Sequence, residues 1–96
     1  MVTDEFADAT EIFKALSNPL RLQILRLLAS EPSSVGGIVT ATGAAQPLVS
    51  QHLRVLRSAR LIAGRRRGQE MVYSLEDAHV GELVLQALAH ARERNL

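Results

Sequence analysis

Four side chains near the C-terminus have the types and spacing of metal ligands: Asp77, His79, His90 and Glu93. On a helix, the eleven steps from His79 to His90 return to nearly the same face but separate the two rings by roughly 16 Å along the axis. Zinc–nitrogen bonds are about 2.0–2.1 Å long, so both histidines of one straight helix cannot hold one ion. The spacing therefore predicts two half-sites, Asp77 with His79 and His90 with Glu93. An antiparallel, two-fold symmetric pair of helices would complete two shared metal sites.

Charge is segregated along the chain although the net charge is only +1. No Asp or Glu lies between Glu31 and Glu70. The same stretch contains six arginines: Arg54, Arg57, Arg60, Arg65, Arg66 and Arg67. Such a distribution produces a local positive field that attracts polyanions, which favours nucleic-acid binding over a merely solvated basic surface.

Hydrophobic periodicity divides the 96 residues into the elements of one small domain. Apolar residues at helical spacing predict helices over 4–16 and 20–29, a short helix from Ser34 to near Gly43, a longer helix over about 45–58, and a last helix over about 77–94 capped by Asp77. Alternation predicts short strands at 61–63 and 71–75, joined by a glycine-bounded tip over 64–69. We expect Arg21 and Arg26 to point outward from the second helix.

The helix over 45–58 has a polar stripe that contains no acid. Its members Gln46, Ser50, Arg54 and Arg57 follow at i, i+4, i+8 and i+11. Together with Gln51, they offer the side chains that read base edges and phosphates in a major groove. His52 either faces DNA or packs at the edge of the core, on a flanking stripe with Leu48 and Val55.

The predicted hairpin carries Arg65, Arg66 and Arg67, which suit phosphates or a narrow minor groove. Two helices joined by a short turn, followed by a basic hairpin, define a winged helix-turn-helix. The fold class predicted from the sequence is therefore mainly α with a β-hairpin, and dimeric. The predicted partners are double-stranded operator DNA and a second copy of the chain.

Three segments of the chain resemble the ArsR/SmtB family of metal-responsive repressors: 13–22, 49–57 and 65–75. The family's C-terminal metal motif, D-x-H-x10-H-x2-E/H, is matched by Asp77, His79, His90 and Glu93. The resemblance implies an apo dimer bound to a palindromic operator beside a metal efflux or uptake gene. It also implies that metal bound across the last helices weakens DNA binding. A second kind of family site, built from cysteines near the third helix, is absent because Ser33–Gly37 stands there and the chain has no Cys.

The donor set of two imidazoles and two carboxylates favours zinc in a tetrahedral site. Cobalt fits the same donors. Nickel is disfavoured because relatives that use it have His-rich tails, and this sequence shows none. The absence of Cys excludes thiolate-based sensing of soft metals.

Two other classes compete with a metal-sensing repressor. In a metal-independent winged-helix regulator, Asp77 would be only a helix cap and the histidines only surface residues. In a metallohydrolase, a four-donor site would leave no open position for water, so we expect no enzyme activity and no protein substrate. The sequence shows no apolar run of about 20 residues and an acidic start at 1–5, which predicts a cytoplasmic protein without a membrane span.

Overall fold

The computed structural model describes residues 3–95. Five helices are present: α1 (Asp4–Leu16), α2 (Pro19–Ser30), α3 (Val35–Thr42), α4 (Gln46–Ser58) and α5 (Ala78–Arg94). Three strands accompany them: β1 (Ser33–Ser34), β2 (Ile62–Arg67) and β3 (Glu70–Leu75). Within the described part of the chain, no helix combines the length and apolar character needed to span a bilayer. The predicted helices are confirmed to within about two residues at each end.

Short polar side chains set where the central helices begin. Asn18 Oδ1 accepts hydrogen bonds from the backbone N–H groups of Leu20 and Arg21, at 3.0 and 3.1 Å. Ser34 Oγ accepts one from Gly37 N–H at 3.1 Å, which starts α3. Gly43 ends α3 in the left-handed region, with φ of 72°. Gly43 therefore begins the short connection that leads from α3 into α4.

The core is entirely aliphatic among the described residues and is centred on α2. The buried residue of α1 is Ala15. The largest fully buried side chains come from the other four helices and from β2: Ile24, Leu25, Ile38, Val49, Leu53, Leu56, Val84 and Ile62. The predicted outward position of Arg21 is wrong, because α2 contacts all the other helices and leaves little of its surface free. Arg21 is half-buried, whereas Arg26 is exposed as expected.

The sheet differs from the predicted hairpin in two ways. β1 pairs with β3, giving an antiparallel sheet in the order β1-β3-β2, so a third strand joins the hairpin. The three arginines predicted at the hairpin tip lie in β2, where Arg65, Arg66 and Arg67 pair with Val72, Met71 and Glu70. Backbone hydrogen bonding across the hairpin therefore extends the strand and shortens the turn to Gly68-Gln69.

Arg60, just after the end of α4, has a strained backbone conformation whose cost to folding can be measured. Leu61 N–H bonds to Leu56 O and Arg60 N–H to Arg57 O, both at 3.0 Å, which is a Schellman motif with Arg60 at its left-handed position (φ 59°). Because glycine adopts this conformation without steric cost, Arg60→Gly is expected to stabilise the fold by about 0.5–1 kcal/mol. Urea unfolding would measure the gain, and Arg60→Ala, which keeps the strain, should show none.

Candidate nucleic-acid interface and metal-binding residues

Helix α4 packs on the core through a buried apolar face and exposes its polar side chains together with Leu48 and Val55. Val49, Leu53 and Leu56 are at most 2% exposed and anchor the helix on the core. The opposite face exposes the residues predicted to read DNA: Gln46, Ser50, Gln51, Arg54 and Arg57. Pro47 lies in the first turn and the Schellman motif ends the helix, which leaves 13 helical residues, enough to enter a major groove.

His52 lies at the edge of the core rather than on the fully exposed face of α4. Its ring is half-buried, and its Nδ1 atom is buried without a hydrogen-bond partner among residues 3–95. Burial and, secondarily, the positive charge of Arg21 lower the pKa of His52, which keeps the imidazole neutral. This position favours the packing interpretation over a DNA contact.

A cleft between α4 and the hairpin, which we call the inner cleft, has a volume of about 440 Å³. It is lined by Ser50, Leu53, Arg54, Arg57, Ser58 and Tyr73. A Cβ atom placed on Gly64 would lie 3.1 Å from Tyr73 Cε1 and 3.4 Å from Arg57 Nη1. Gly64 thus allows the Arg57 guanidinium to lie against the strand. Sequence reasoning missed Gly64 and Tyr73, since only the strand pairing shows that both face α4.

The structure brings Asp77 and His79 together at the start of α5. Asp77 Oδ1 accepts a hydrogen bond from Val80 N–H at 3.3 Å and therefore caps the helix. The same oxygen lies 3.3 Å from His79 Nδ1. The two side chains are 51% and 91% exposed, so both are open to an ion from solvent.

His90 and Glu93 are exposed one turn apart near the other end of α5. The helix places the two pairs at opposite ends, and in one chain no three His, Cys, Asp or Glu side chains cluster anywhere in residues 3–95. One chain therefore offers two separate two-donor pairs. The chemistry of the donors fits zinc, but four donors require pairs from two chains.

The metal-ligand candidates lie on the side of α5 that faces away from the core. Val80, Gly81 and Val84 are buried against the rest of the fold. By helical spacing, Leu83 lies on the same face as His79 and His90, and it is exposed together with Leu85. α1 likewise exposes two large rings, Phe6 at 61% and Phe13 at 59%. The outward faces of α1 and α5 therefore carry apolar side chains that no other part of residues 3–95 covers.

The helical order, the exposed polar face of α4 and the basic hairpin beside it define a winged helix-turn-helix protein. A family model described as "Bacterial regulatory protein, arsR family" matches residues 18–63, which include α2 to α4. The chain is 42% identical over 90 residues to the HTH-type transcriptional repressor SmtB of Mycobacterium tuberculosis, covering 93% of this chain and 67% of that protein. It is 37% identical over 93 residues to the "Transcriptional repressor SmtB homolog" of Synechocystis, covering 97% and 70%. The chain belongs to the ArsR/SmtB family of transcriptional regulators, as its resemblance predicted, and is not an enzyme.

Solved structures agree with this assignment. A homodimeric winged helix-turn-helix DNA-binding domain from Mycobacterium bovis superposes with a TM-score of 0.88. That domain is 34% identical, and the match covers 95% of this chain and 84% of that one. The predicted fold class is therefore confirmed, with the third strand as an addition.

Proposed function

We propose that the chain is a homodimeric, metal-sensing repressor whose apo form binds a palindromic operator. Zinc bound across two α5 helices would lower its affinity for that operator. The observation that carries this proposal is the arrangement of α5, which exposes Asp77 with His79 at one end and His90 with Glu93 at the other. The similarity to SmtB proteins supports the repressor part of the proposal.

The uncovered apolar faces of α1 and α5 support a homodimer. Exposed Phe6, Phe13, Leu83 and Leu85 are the kind of side chains that a protein interface buries. The related Mycobacterium bovis domain is homodimeric. An antiparallel pairing of two α5 helices would cover Leu83 and place each Asp77–His79 pair opposite the partner's second pair.

A shared site could control DNA binding through the angle between protomers. An effector shifts an equilibrium only when it binds one dimer shape better than another. Four side chains joined across α5 would fix one angle, and that angle sets the distance between the two α4 helices. Those helices must match half-sites about one DNA turn apart. A coupling of about 1–3 kcal/mol, or 5–150-fold in affinity, is the usual size of such an effect.

Asp77 has two proposed roles that substitutions separate. Asn caps a helix about as well as Asp but is a poor metal ligand, so Asp77→Asn should retain stability and lose zinc affinity. Asp77→Ala should lose both, with a decrease of about 1 kcal/mol in the free energy of unfolding. Thermal unfolding and competition for zinc with a chelating dye would measure the two effects. Equal zinc affinity in all three proteins would remove Asp77 from the donor set.

The direct test is fluorescence anisotropy of a labelled operator duplex titrated with the protein, with and without zinc. Tight binding without zinc and weaker binding with zinc supports the proposal. Unchanged DNA binding with no zinc bound would instead identify a metal-independent winged-helix regulator. Cobalt should act like zinc in the same assay, and nickel should act more weakly.

A further inference from the structure

A cleft of about 650 Å³ lies where α1, α2 and α4 meet, and we call it the three-helix cleft. Three cations line it, Lys14, Arg21 and Arg54, together with one carboxylate, Glu11. None of the candidate metal ligands lines the cleft, and Arg54 is the one lining residue that belongs to the predicted DNA-reading set. The cleft is therefore separate from the metal-binding residues and is joined to the DNA-binding face by a single side chain.

Arg21 is a half-buried cation without a counter-ion in the described part of the chain. Its Nε atom is buried without a hydrogen-bond partner, and no carboxylate of residues 3–95 lies within ion-pair distance of its guanidinium. Its charge acts on the neighbouring helix, where it contributes, after burial, to lowering the pKa of His52. A charge removed from water is costly unless an anion pairs with it. An anion in the cleft would supply that missing partner.

The carboxylate of the cleft is already engaged by a cation on the same helix. Lys14 Nζ lies 3.3 Å from Glu11 Oε1, and the two side chains are each 69% exposed. Exposed ion pairs of this kind contribute little stability, so the two side chains rearrange readily. Three cations against one carboxylate leave the cleft lining with a net charge of +2. The electrostatic preference of the cleft is therefore for an anion.

Part of the lining is apolar. Ala15 contributes from α1, and Val55 and Ala59 contribute from the last turn of α4 and the residue that follows it. The proposed dimer leaves this region open, because Glu11 and Phe13 are two residues apart and so point about 160° apart around α1. The cleft thus combines an unpaired cation with an apolar wall on a side of α1 that the dimer contact does not need.

We propose that the three-helix cleft binds a small organic anion, a carboxylate with a short apolar chain. The carboxylate would pair with Arg21 and be supported by Lys14 and Arg54, while the chain would lie on Val55 and Ala59. The cleft would then be a second effector site, independent of metal. The binding itself does not depend on the DNA-binding function proposed above, whereas its effect on the operator rests on that function.

Arg54 connects the cleft with DNA binding. It lines both the three-helix cleft and the inner cleft, and it is exposed on the polar face of α4. An arginine paired with a bound carboxylate is less available to a DNA phosphate or base edge, because the anion offsets its charge. We therefore expect the bound anion to lower operator affinity several-fold.

Nuclear magnetic resonance of the nitrogen-15-labelled, metal-free protein tests the binding directly. The probes are hexanoate, acetate and the uncharged hexanamide, each added at constant ionic strength. Hexanoate should cause saturable shifts of the Arg21 Nε–H signal and of the backbone signals of Lys14 and Val55. It should bind about tenfold more tightly than acetate, because burying half of its four additional methylene groups suffices for that gain. Hexanamide should leave the Arg21 signal unchanged.

Charge variants separate a binding site from an effect on folding. Arg21→Gln should abolish the hexanoate shifts. Glu11→Gln should strengthen hexanoate binding several-fold, because it removes the negative charge of the cleft and releases Lys14, and a damaged fold would not produce a gain. Arg26→Gln removes an exposed cation from the same helix as Arg21 but outside the cleft, so it should bind hexanoate as the unaltered protein does.

The proposal is overturned if hexanoate causes no saturable shift, if acetate binds as tightly as hexanoate, or if Glu11→Gln weakens binding. Tighter binding of inorganic phosphate than of hexanoate would also overturn it, since the cleft would then be a simple oxyanion site.

Anisotropy with an operator duplex, selected from random sequences with the metal-free protein, tests the effect on DNA binding. Hexanoate at constant ionic strength should lower the operator affinity of the unaltered protein several-fold and leave that of Arg21→Gln unchanged. Equal affinity with and without hexanoate in the unaltered protein would overturn the role assigned to Arg54. If the protein selects no duplex, the proposed function fails, while the resonance titration still decides whether the cleft binds the anion.

Discussion

A heterodimer of one His79→Ala chain and one His90→Ala chain is expected to bind one zinc ion tightly. In the shared arrangement, one of its two sites combines both substituted positions and loses both histidines. The other keeps all four donors, because the His90→Ala chain supplies Asp77 and His79 while the His79→Ala chain supplies His90 and Glu93. Native mass spectrometry of differently tagged chains would give the stoichiometry and separate the heterodimer from each homodimer.

The homodimers provide the controls for this experiment. Each His→Ala homodimer should fold and bind operator DNA as before, because His79 and His90 are both exposed. Zinc should no longer release either homodimer from DNA, so the whole 5–150-fold decrease in DNA affinity should be lost. If each site lay within one chain, both heterodimer sites would be damaged. A stoichiometry near zero would therefore contradict the shared site.

Replacing Arg65, Arg66 and Arg67 together with Ala should produce the largest change in DNA binding. All three are exposed on β2, so the triple variant should fold normally. Affinity should fall on operator and random DNA alike, and the salt slope should decrease by about 2.7, because phosphate contacts carry no sequence information. Anisotropy titrations at several salt concentrations would measure both quantities.

Substitutions on α4 provide the comparison for the wing variant. Gln46→Ala or Ser50→Ala should cost about 1–3 kcal/mol on the operator and little on random DNA, because we expect these side chains to read base edges. Unchanged affinity and slope in the triple arginine variant would exclude the hairpin as a DNA-contacting wing. A loss confined to the operator would assign the arginines to base readout instead.

The helices were predictable because their apolar residues repeat at a clear period and local caps mark their ends. Asn18 with Pro19 and Ser34 act within three residues of their own positions, so the sequence displays them directly. The two residues of β1 are too few to show alternation, and their partner Val72-Tyr73 is almost forty residues away. The arginine run between Gly64 and Gly68 has turn composition, yet pairing with 70–75 holds it in β2.

The sequence predicted which residues belong to the candidate site better than it predicted how those residues are arranged. The exposure of Gln46, Ser50 and Arg54 follows from their spacing against the apolar stripe of α4. The approach of Arg57 to Gly64 and Tyr73 depends on how the hairpin packs on α4, which no local pattern records. Periodicity places Phe6 and Phe13 on one face of α1, and the small core predicts that the first and last helices keep apolar surface for a second chain. Only the fold shows that these two rings are the ones left exposed.

The position of the four candidate donor side chains has a consequence for how such regulators diversify. His79, His90 and Glu93 are exposed, and none is needed to fill the core. Surface substitutions away from structural features usually change stability by less than about 0.5 kcal/mol. Three of the four proposed ligands can therefore be exchanged at almost no cost to folding, and only Asp77 is constrained, because it also starts the helix. A descendant of this chain could change or lose the proposed metal response while retaining its fold and the proposed DNA-binding surface of α4.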